Sequence, residues 1–389
     1  MHRRTFIAAA GSVLYVRAAP SDQIRVGIIG SGGRGQFLMK VFMLDTAVRM
    51  VAVADVFEPN LEAGLSLAKG ARAYRNYQDL LADKEIDVVI VATPEHWHHQ
   101  MLLDALAAGK DVYIEKPLCQ RPEQGVDLMD ATRQSKSIVQ VGMQRRSYDL
   151  YLKARDIRAS GALGSVRLVR SWWINNNLSE KPATQLTGRL DWEQWQGPAP
   201  HRPLDPDRFY HWRSYSDYSG GIMADQGAHI FDGIHLIQGV GFPSAVNASA
   251  GRVHSSKSDT PEIVIVTAEY PEDFVAVFTI NYAGIHYPSR LDQLNQFDGD
   301  RARMDVGREF VSVYTQSKPE SPESTITGSF SEATNAHVEN FLNCVRTRTP
   351  PNAPIEKGFQ AVLVTQLANL SLRQGRRIRW NASTRQVEV

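Results

Sequence analysis

Only two cysteines, Cys119 and Cys344, occur in 389 residues, far apart and outside any Cys-x-x-Cys or Cys/His spacing. That excludes a disulfide framework and a zinc knuckle, and leaves a single bridge open. Charge of one sign is equally scarce, with 43 Lys plus Arg against 42 Asp plus Glu. No basic block or Lys/Arg-lined helix is present to neutralise a run of phosphates, so nucleic acid is not an expected partner. No apolar run reaches the roughly twenty residues of a membrane span, so no stable membrane anchor is expected. What remains is 43% hydrophobic residues in a chain longer than one core usually supports, which points to two domains.

The first twenty residues differ from the rest. Arg3-Arg4-Thr5-Phe6-Ile7 precedes a mildly apolar stretch from Ala8 to Val16 and then Ala18-Ala19-Pro20, the layout of a twin-arginine export signal over residues 1–20. His2 stands where Ser or Thr is usual and no Lys follows, so the match is imperfect. The expectation is a periplasmic or secreted protein, and a cytoplasmic one if the arginine pair is incidental.

From Ile24 onward, short Val/Ile/Ala runs alternate with helical stretches: Ile24–Ile29, Met50–Val56, Ile86–Ala92 and Val112–Glu115. Such repetition predicts an α/β domain with a parallel sheet over residues 23–145. Period-two alternation follows in Val166–Ile174, Val246–Val253, Glu262–Tyr270 and Phe274–Tyr282. It predicts an α+β domain over residues 146–389 with a mostly antiparallel sheet. Between these runs lies Ser179–Gly221, rich in Pro, Trp and Tyr and long enough to be a lid or rim. Helices are expected at Ser331–Arg346 and Glu356–Gln374.

Gly30-Ser31-Gly32-Gly33-Arg34-Gly35 follows the first strand at once and opens a helix. Glycines there permit a tight turn and close backbone approach to a pyrophosphate, with the helix N-terminus facing its charge. Asp55, twenty residues after Gly35, ends the next strand, where a carboxylate binds both ribose hydroxyls of NAD and repels the 2′-phosphate of NADP. NAD is therefore favoured, and the competing reading is a Rossmann-like domain that binds a mononucleotide or nothing.

Val91-Ala92-Thr93-Pro94-Glu95-His96-Trp97-His98-His99 leaves a strand at the carboxyl edge of the sheet, and Glu115-Lys116-Pro117 ends the following strand at the same edge. Ligands of open α/β sheets sit along that edge. Lys116 is the leading chemical candidate, aimed at the crevice by the strand and held extended by Pro117. To exchange protons near neutrality a lysine must have its pKa lowered; kept charged, it polarises a hydroxyl or carbonyl. His96, His98 and His99 do not make a metal set, since adjacent histidines cannot converge and no carboxylate completes them. Further on, Asp225, His229 and Asp232 share one helical stripe opposite Met223, Ile230, Ile234 and Ile237, which reads as an acid-histidine-acid row or simply as a solvated helix face. Trp172, Trp173, Trp192, Trp195 and Trp212 with Phe209, Tyr210, Tyr215 and Tyr218 suit either a core or the C–H faces of a sugar. Tyr210, Trp212 and Arg213 are the rim candidates.

With these motifs in order, the chain from about Ile24 resembles the Gfo/Idh/MocA family, named for glucose-fructose oxidoreductase and inositol dehydrogenase. The resemblance implies that Lys116, Asp225 and His229 surround the carbon that gives up hydride. His229 or Lys116 would take the hydroxyl proton, and Asp225 would orient the histidine or a substrate hydroxyl. It implies cofactor contacts from Gly30 to Gly35, Asp55, Thr93, Pro94, His96, His98, Glu115, Lys116 and Gln144, with Arg146, Tyr210, Trp212 and Arg213 at the substrate. The implied activity is NAD-dependent oxidation of a sugar C–OH. The family also contains exported NAD-dependent glycosidases that oxidise the sugar transiently, and a non-catalytic sugar-binding protein is the third reading. An exported enzyme finds no obvious pool of free NAD, which favours a tightly held cofactor. A homo-oligomer, dimer or tetramer, is expected by resemblance.

Overall fold

The computed structural model describes residues 23–175, 183–251, 258–289 and 291–388. The export-signal expectation on residues 1–20 therefore lies outside the described residues, as does the start of the lid segment at 179–182.

Six short strands, mostly apolar except β3, form the first sheet: β1 (Ile24–Ile29), β2 (Val48–Ala54), β3 (Arg72–Tyr74), β4 (Val88–Val91), β5 (Asp111–Ile114) and β6 (Val139–Val141). All neighbours are parallel, in the order β3-β2-β1-β4-β5-β6. Helices α1 (Gly33–Phe42), α2 (Glu58–Leu67), α3 (Tyr77–Ala82), α4 (His98–Ala107) and α5 (Pro122–Gln134) connect them. Burial on both faces explains why β4 reads as an unbroken Val/Ile run and why β1 departs from one only at Arg25 and Gly27. The strand order reverses between β1 and β4, which opens a crevice at their carboxyl ends. The edge strand β3, Arg-Ala-Tyr, carries no apolar run and is not announced by the sequence.

After helix α6 (Asp149–Ala159), strand β7 (Val166–Ile174) begins the second sheet. Two short helices, α7 (Trp192–Gln196) and α8 (Pro206–Tyr210), lie in the long connection that leads to helix α9 (Gly221–Gln238). Then come β8 (Ala245–Ala250), β9 (Ile263–Tyr270), β10 (Phe274–Asn281), β11 (Gln293–Gly299), β12 (Ala302–Val306), β13 (Phe310–Thr315) and β14 (Ser324–Thr327). Helices α10 (Ser331–Thr347) and α11 (Ile355–Gln374) precede β15 (Ile378–Asn381) and β16 (Gln386–Glu388). The ten strands run in the order β14-β13-β12-β11-β7-β10-β9-β8-β15-β16. Every recorded pairing is antiparallel except β7 with β10.

Helices α6, α9 and α11 cover one face of this sheet. Helix α10 instead returns to the first sheet, where Phe341 packs edge-on against Phe42 of α1 and Tyr113 of β5. The second half of the chain therefore closes the core of the first. Helix α9 is buried around its whole circumference, Asp225, His229 and Asp232 included. The solvated-face reading of its polar stripe is thereby overturned: the apolar side packs on the sheet, while on the polar side Asp225 meets Lys116 of the first domain, His229 lines a cavity and Asp232 pairs with Arg146. No helix among the described residues is long and apolar enough to cross a membrane.

Candidate active site

The glycine turn is shaped by what its neighbours leave free. Gly30 has φ +89°, and a Cβ there would stand 2.8 Å from the Ala92 carbonyl oxygen. A Cβ on Gly35 would stand 2.1 Å from the Gly30 oxygen, so α1 can sit against β1 only through glycine. Between them the Ser31 amide donates to Asp55 Oδ2 at 2.8 Å, and the Phe57 amide donates to Asp55 Oδ1 at 2.9 Å. Asp55 thus pins the turn to the end of β2. Burial pushes its carboxyl up, against the pull of those donors. Arg34 reaches from the turn across the crevice and donates to Glu115 Oε1 from Nε at 2.8 Å and Nη2 at 2.7 Å.

A cavity of about 630 Å³ runs from Asp55, Asn60, Arg75 and Asn76, past Gly30, Gly32, Gly33, Arg34, Thr93 and Pro94, to Glu115, Lys116, Gln144, Asp225 and His229. Its outer wall is the long connection, through Gln194, Trp195, Phe209, Tyr210, Trp212 and Arg213. This segment is a strap tied to the first domain. Leu190 bridges to Phe57, the Asp191 amide donates to the Val56 carbonyl at 3.0 Å, and the Glu58 amide donates to the Arg189 carbonyl at 2.9 Å. Trp97 Nε1 donates to the Trp195 carbonyl at 2.8 Å. The aromatic residues divide accordingly. Phe57, Trp195, Phe209, Tyr215 and Tyr218 form a small buried cluster that stiffens the strap; its Phe57, Trp195 and Phe209 also line the cavity, as do Tyr210 and Trp212 outside the cluster.

At the far end of the cavity, Lys116 Nζ donates to Asp225 Oδ1 at 2.6 Å and to the Asp225 carbonyl at 3.0 Å. Burial alone would raise the Asp225 pKa, but Lys116 and then Arg213 outweigh it and hold the carboxyl below its ordinary value. Arg213 stands 3.6 Å from the same oxygen, with its guanidinium over the Trp212 ring. His229, one turn along α9, lines the cavity. Burial, then Lys116, Arg145 and Arg34, drive its pKa well below the usual histidine value, so the ring is neutral. Asp225 is therefore partnered with the lysine.

Several expected contacts lie elsewhere. Arg146 is buried away from the cavity, donating from Nε to Asp232 Oδ1 at 2.5 Å; this ion pair consumes the third residue of the α9 stripe. His98 is buried behind the cavity wall, 2.7 Å from the Pro117 carbonyl and 2.9 Å from the Thr93 carbonyl, and joins the turns after β4 and β5. A neutral ring donates to only one of these carbonyls. His96 Nε2 meets the Trp195 carbonyl at 2.9 Å among Trp97, Trp195 and Tyr218, and burial lowers its pKa to about 4. Ser31 and Gly35 shape the glycine turn without lining the cavity themselves. The chemistry-bearing residue that sequence reasoning missed is Glu95: its carboxylate is buried at the domain junction, a position visible only after folding.

The residues fit a dinucleotide. Gly30 and Gly35 leave no room for a Cβ, Asp55 lines the end expected for the ribose, and Gln144, which lines the same cavity as Lys116, has a buried side-chain oxygen with no partner among the described residues. Residues 24–143 match the family model of the Gfo/Idh/MocA oxidoreductases described as an NAD-binding Rossmann fold, and residues 200–379 match that family's C-terminal α/β domain. The chain belongs to the Gfo/Idh/MocA oxidoreductase family. Its first domain is an NAD-binding Rossmann domain. It is 29% identical over 160 residues to inositol 2-dehydrogenase of Rubrobacter xylanophilus, covering 41% of this chain and 46% of that one. It is 33% identical over 135 residues to glycosyl hydrolase family 109 protein 2 of Shewanella sp., covering 32% and 29%. The chain thus spans about half or less of the length of these curated relatives. In three dimensions it superposes on levoglucosan dehydrogenase in complex with NADH and levoglucosan, with TM-score 0.74 and 16% identity, over 92% of this chain and 99% of the other. An oxidoreductase from Thermotoga maritima gives TM-score 0.74 at 17% identity, over 94% and 100%.

Proposed function

We propose that this protein oxidises a C–OH group of a sugar or sugar derivative by hydride transfer to NAD. The observation that carries the reading is the meeting of Lys116, Asp225 and His229 in the same cavity that the glycine turn and Asp55 line. NAD, which the glycine turn and Asp55 would hold there, would supply the acceptor for the hydride and its electron pair. The protein handles the proton: neutral His229 accepts it from the substrate hydroxyl, and the Lys116 ammonium, steadied by Asp225, donates a hydrogen bond to the oxygen as negative charge develops. Glu115 holds Arg34, Gln144 offers an amide-binding oxygen, and Tyr210, Trp212 and Arg213 receive the sugar. Inositol and levoglucosan, the substrates in the names of its relatives and structural neighbours, are the first compounds to try. Lys116→Ala should abolish NADH formation while NAD still binds, and near-wild-type turnover would refute the assignment.

One observation favours a second reading, an exported NAD-dependent glycosidase that restores its cofactor each cycle. The strap crosses the cavity and is tied to the first domain by backbone bonds, which supports a dinucleotide retained through turnover. The partial likeness to a family 109 hydrolase supports it too. Absorbance of the dialysed protein, assay of NAD(H) released on denaturation, and a comparison of free sugars with aryl glycosides separate the two. Export through Arg3-Arg4 belongs to the same proposal, and the mass of the mature protein from a periplasmic fraction tests it. The sheet face opposite α9 exposes Leu168 and Ile265, which supports pairing with a second copy, to be measured by light scattering.

A further inference from the structure

Glu95 follows the Thr93-Pro94 turn of the first domain and is 2% exposed. Its carboxylate engages the start of α9 in the second domain: Oε1 accepts from Ser219 Oγ at 2.7 Å, and Oε2 accepts from the Gly220 amide at 2.8 Å. Ser219 Oγ in turn accepts from the Gly221 amide at 3.0 Å. The first amides of a helix have no intrahelical partner, and Gly220, the residue at the cap position, has no side chain to supply one. Glu95 supplies it from the other domain, directly to Gly220 and through Ser219 to Gly221. From the opposite side Asn369 of α11 donates to the Gly220 carbonyl at 2.9 Å. This peptide is therefore fixed between the two halves of the molecule, a little over one helical turn before Asp225.

We propose that Glu95 is a positioning residue: by capping α9 across the domain junction it sets the separation between Lys116 on the first domain and Asp225 and His229 on the second. The inference rests on the assignment of those three residues to the reaction. A carboxylate is the group suited to this place, because it accepts two hydrogen bonds and its charge lies at the positive end of an 18-residue helix. The surroundings make its presence informative. Asp225 and Arg213 are the charges that act on it, and burial followed by Asp225 pushes its pKa up to about 7. A group kept in so unfavourable a place is explained by what it holds.

The test compares Glu95→Ala, Glu95→Gln and Ser219→Ala in the full-length protein. A displacement near 1 Å costs about 100-fold in rate, so Glu95→Ala should lower kcat by roughly that factor while the NAD dissociation constant stays within about twofold. Gln accepts from Gly220 and donates to Ser219, so Glu95→Gln should recover kcat to within about threefold of wild type. Should Glu95→Ala fail to fold, Ser219→Ala removes one of the two bonds and should show a smaller fall in kcat with unchanged NAD affinity. Unchanged kcat in Glu95→Ala overturns the proposal. So does a parallel loss of kcat, NAD affinity and melting temperature that Glu95→Gln does not rescue. Amide hydrogen exchange separates this inference from the catalytic assignment: in Glu95→Ala the amides of residues 221–225 should exchange faster while those of β1 and β4 do not. That result is expected even if no sugar is oxidised, and unchanged exchange in the first turn of α9 would overturn the clamp.

Discussion

Replacing Asp225 by Asn removes the negative charge that Lys116 faces and almost nothing else. The pair is close and nearly dry, 2.6 Å apart with side chains 13% and 9% exposed. Removing one partner of a buried pair typically costs about 3–5 kcal/mol, because the surviving charge is left uncompensated. Two features lower the figure here. Asn retains an oxygen for Lys116, and the Asp225 carbonyl at 3.0 Å remains, so the expected loss is about 2 kcal/mol. Lys116→Met should cost less, about 1 kcal/mol, because Arg213 already stands 3.6 Å from the carboxylate it would inherit. Denaturant midpoints of the NAD-free protein at pH 7.5 give both values, provided the slopes are unchanged. The Asp225 pKa is depressed on folding, so its contribution is complete above the ordinary carboxylate value and is lost as pH falls through the lower folded one; the assay lies well above both. Turnover should fall by about 1,000-fold in each variant, as befits groups acting on a developing charge. If Asp225→Asn is the less damaging of the two to stability, the ion pair has been misread.

Further outcomes follow from other parts of the site. Glu95 moves from an ordinary 4.5 to about 7 on folding, so ionising it costs about 3 kcal/mol that is absent below pH 4.5 and complete above pH 7. Glu95→Gln should therefore be the more stable protein at pH 8 and match wild type near pH 4.5, and a difference independent of pH would contradict the burial argument. Asp55→Ala should weaken NAD binding by about 10-fold or more with little change in kcat at saturation, as fluorescence titration with NADH would read. Gly197 has φ +46°, and a Cβ there would stand 2.0 Å from the Trp97 ring, so Gly197→Ala should unseat the strap and speed NADH release in a stopped-flow experiment. Unchanged release would remove the strap as the reason for cofactor retention.

How far the sequence carries depends on how local each feature is. The Val/Ile runs of β1 and β4 and the alternation in β9 and β10 announce themselves because burial on two faces or on one leaves a direct pattern. Strands β11 to β13 do not, because Gln293, Asn295, Asp305 and Ser312 point inward and break the alternation. Lys116, Asp225 and His229 were legible from their motifs, and the glycine turn from its place between strand and helix. Periodicity alone left the α9 stripe open between a functional row and a solvated face, because it does not show that the stripe is covered in the folded chain. The ion pair of Asp232 with Arg146 and the wall contacts of His96 and His98 are long-range, and periodicity holds no record of them. Glu95 is the extreme case, since its partners lie more than 120 residues away and its value depends on a junction that exists only in the folded chain.

In the proposed reaction His229 takes the hydroxyl proton and Lys116 hydrogen-bonds the substrate oxygen, beside an NAD held at the glycine turn. This assignment is tested most directly by following NADH absorbance with wild type, Lys116→Met and His229→Asn against the sugars named above, with NAD affinity measured in parallel. Wild type should form NADH, and the variants should bind NAD about as tightly yet turn over at about 1% of its rate or less. Variants that reduce NAD at near-wild-type rates would contradict it.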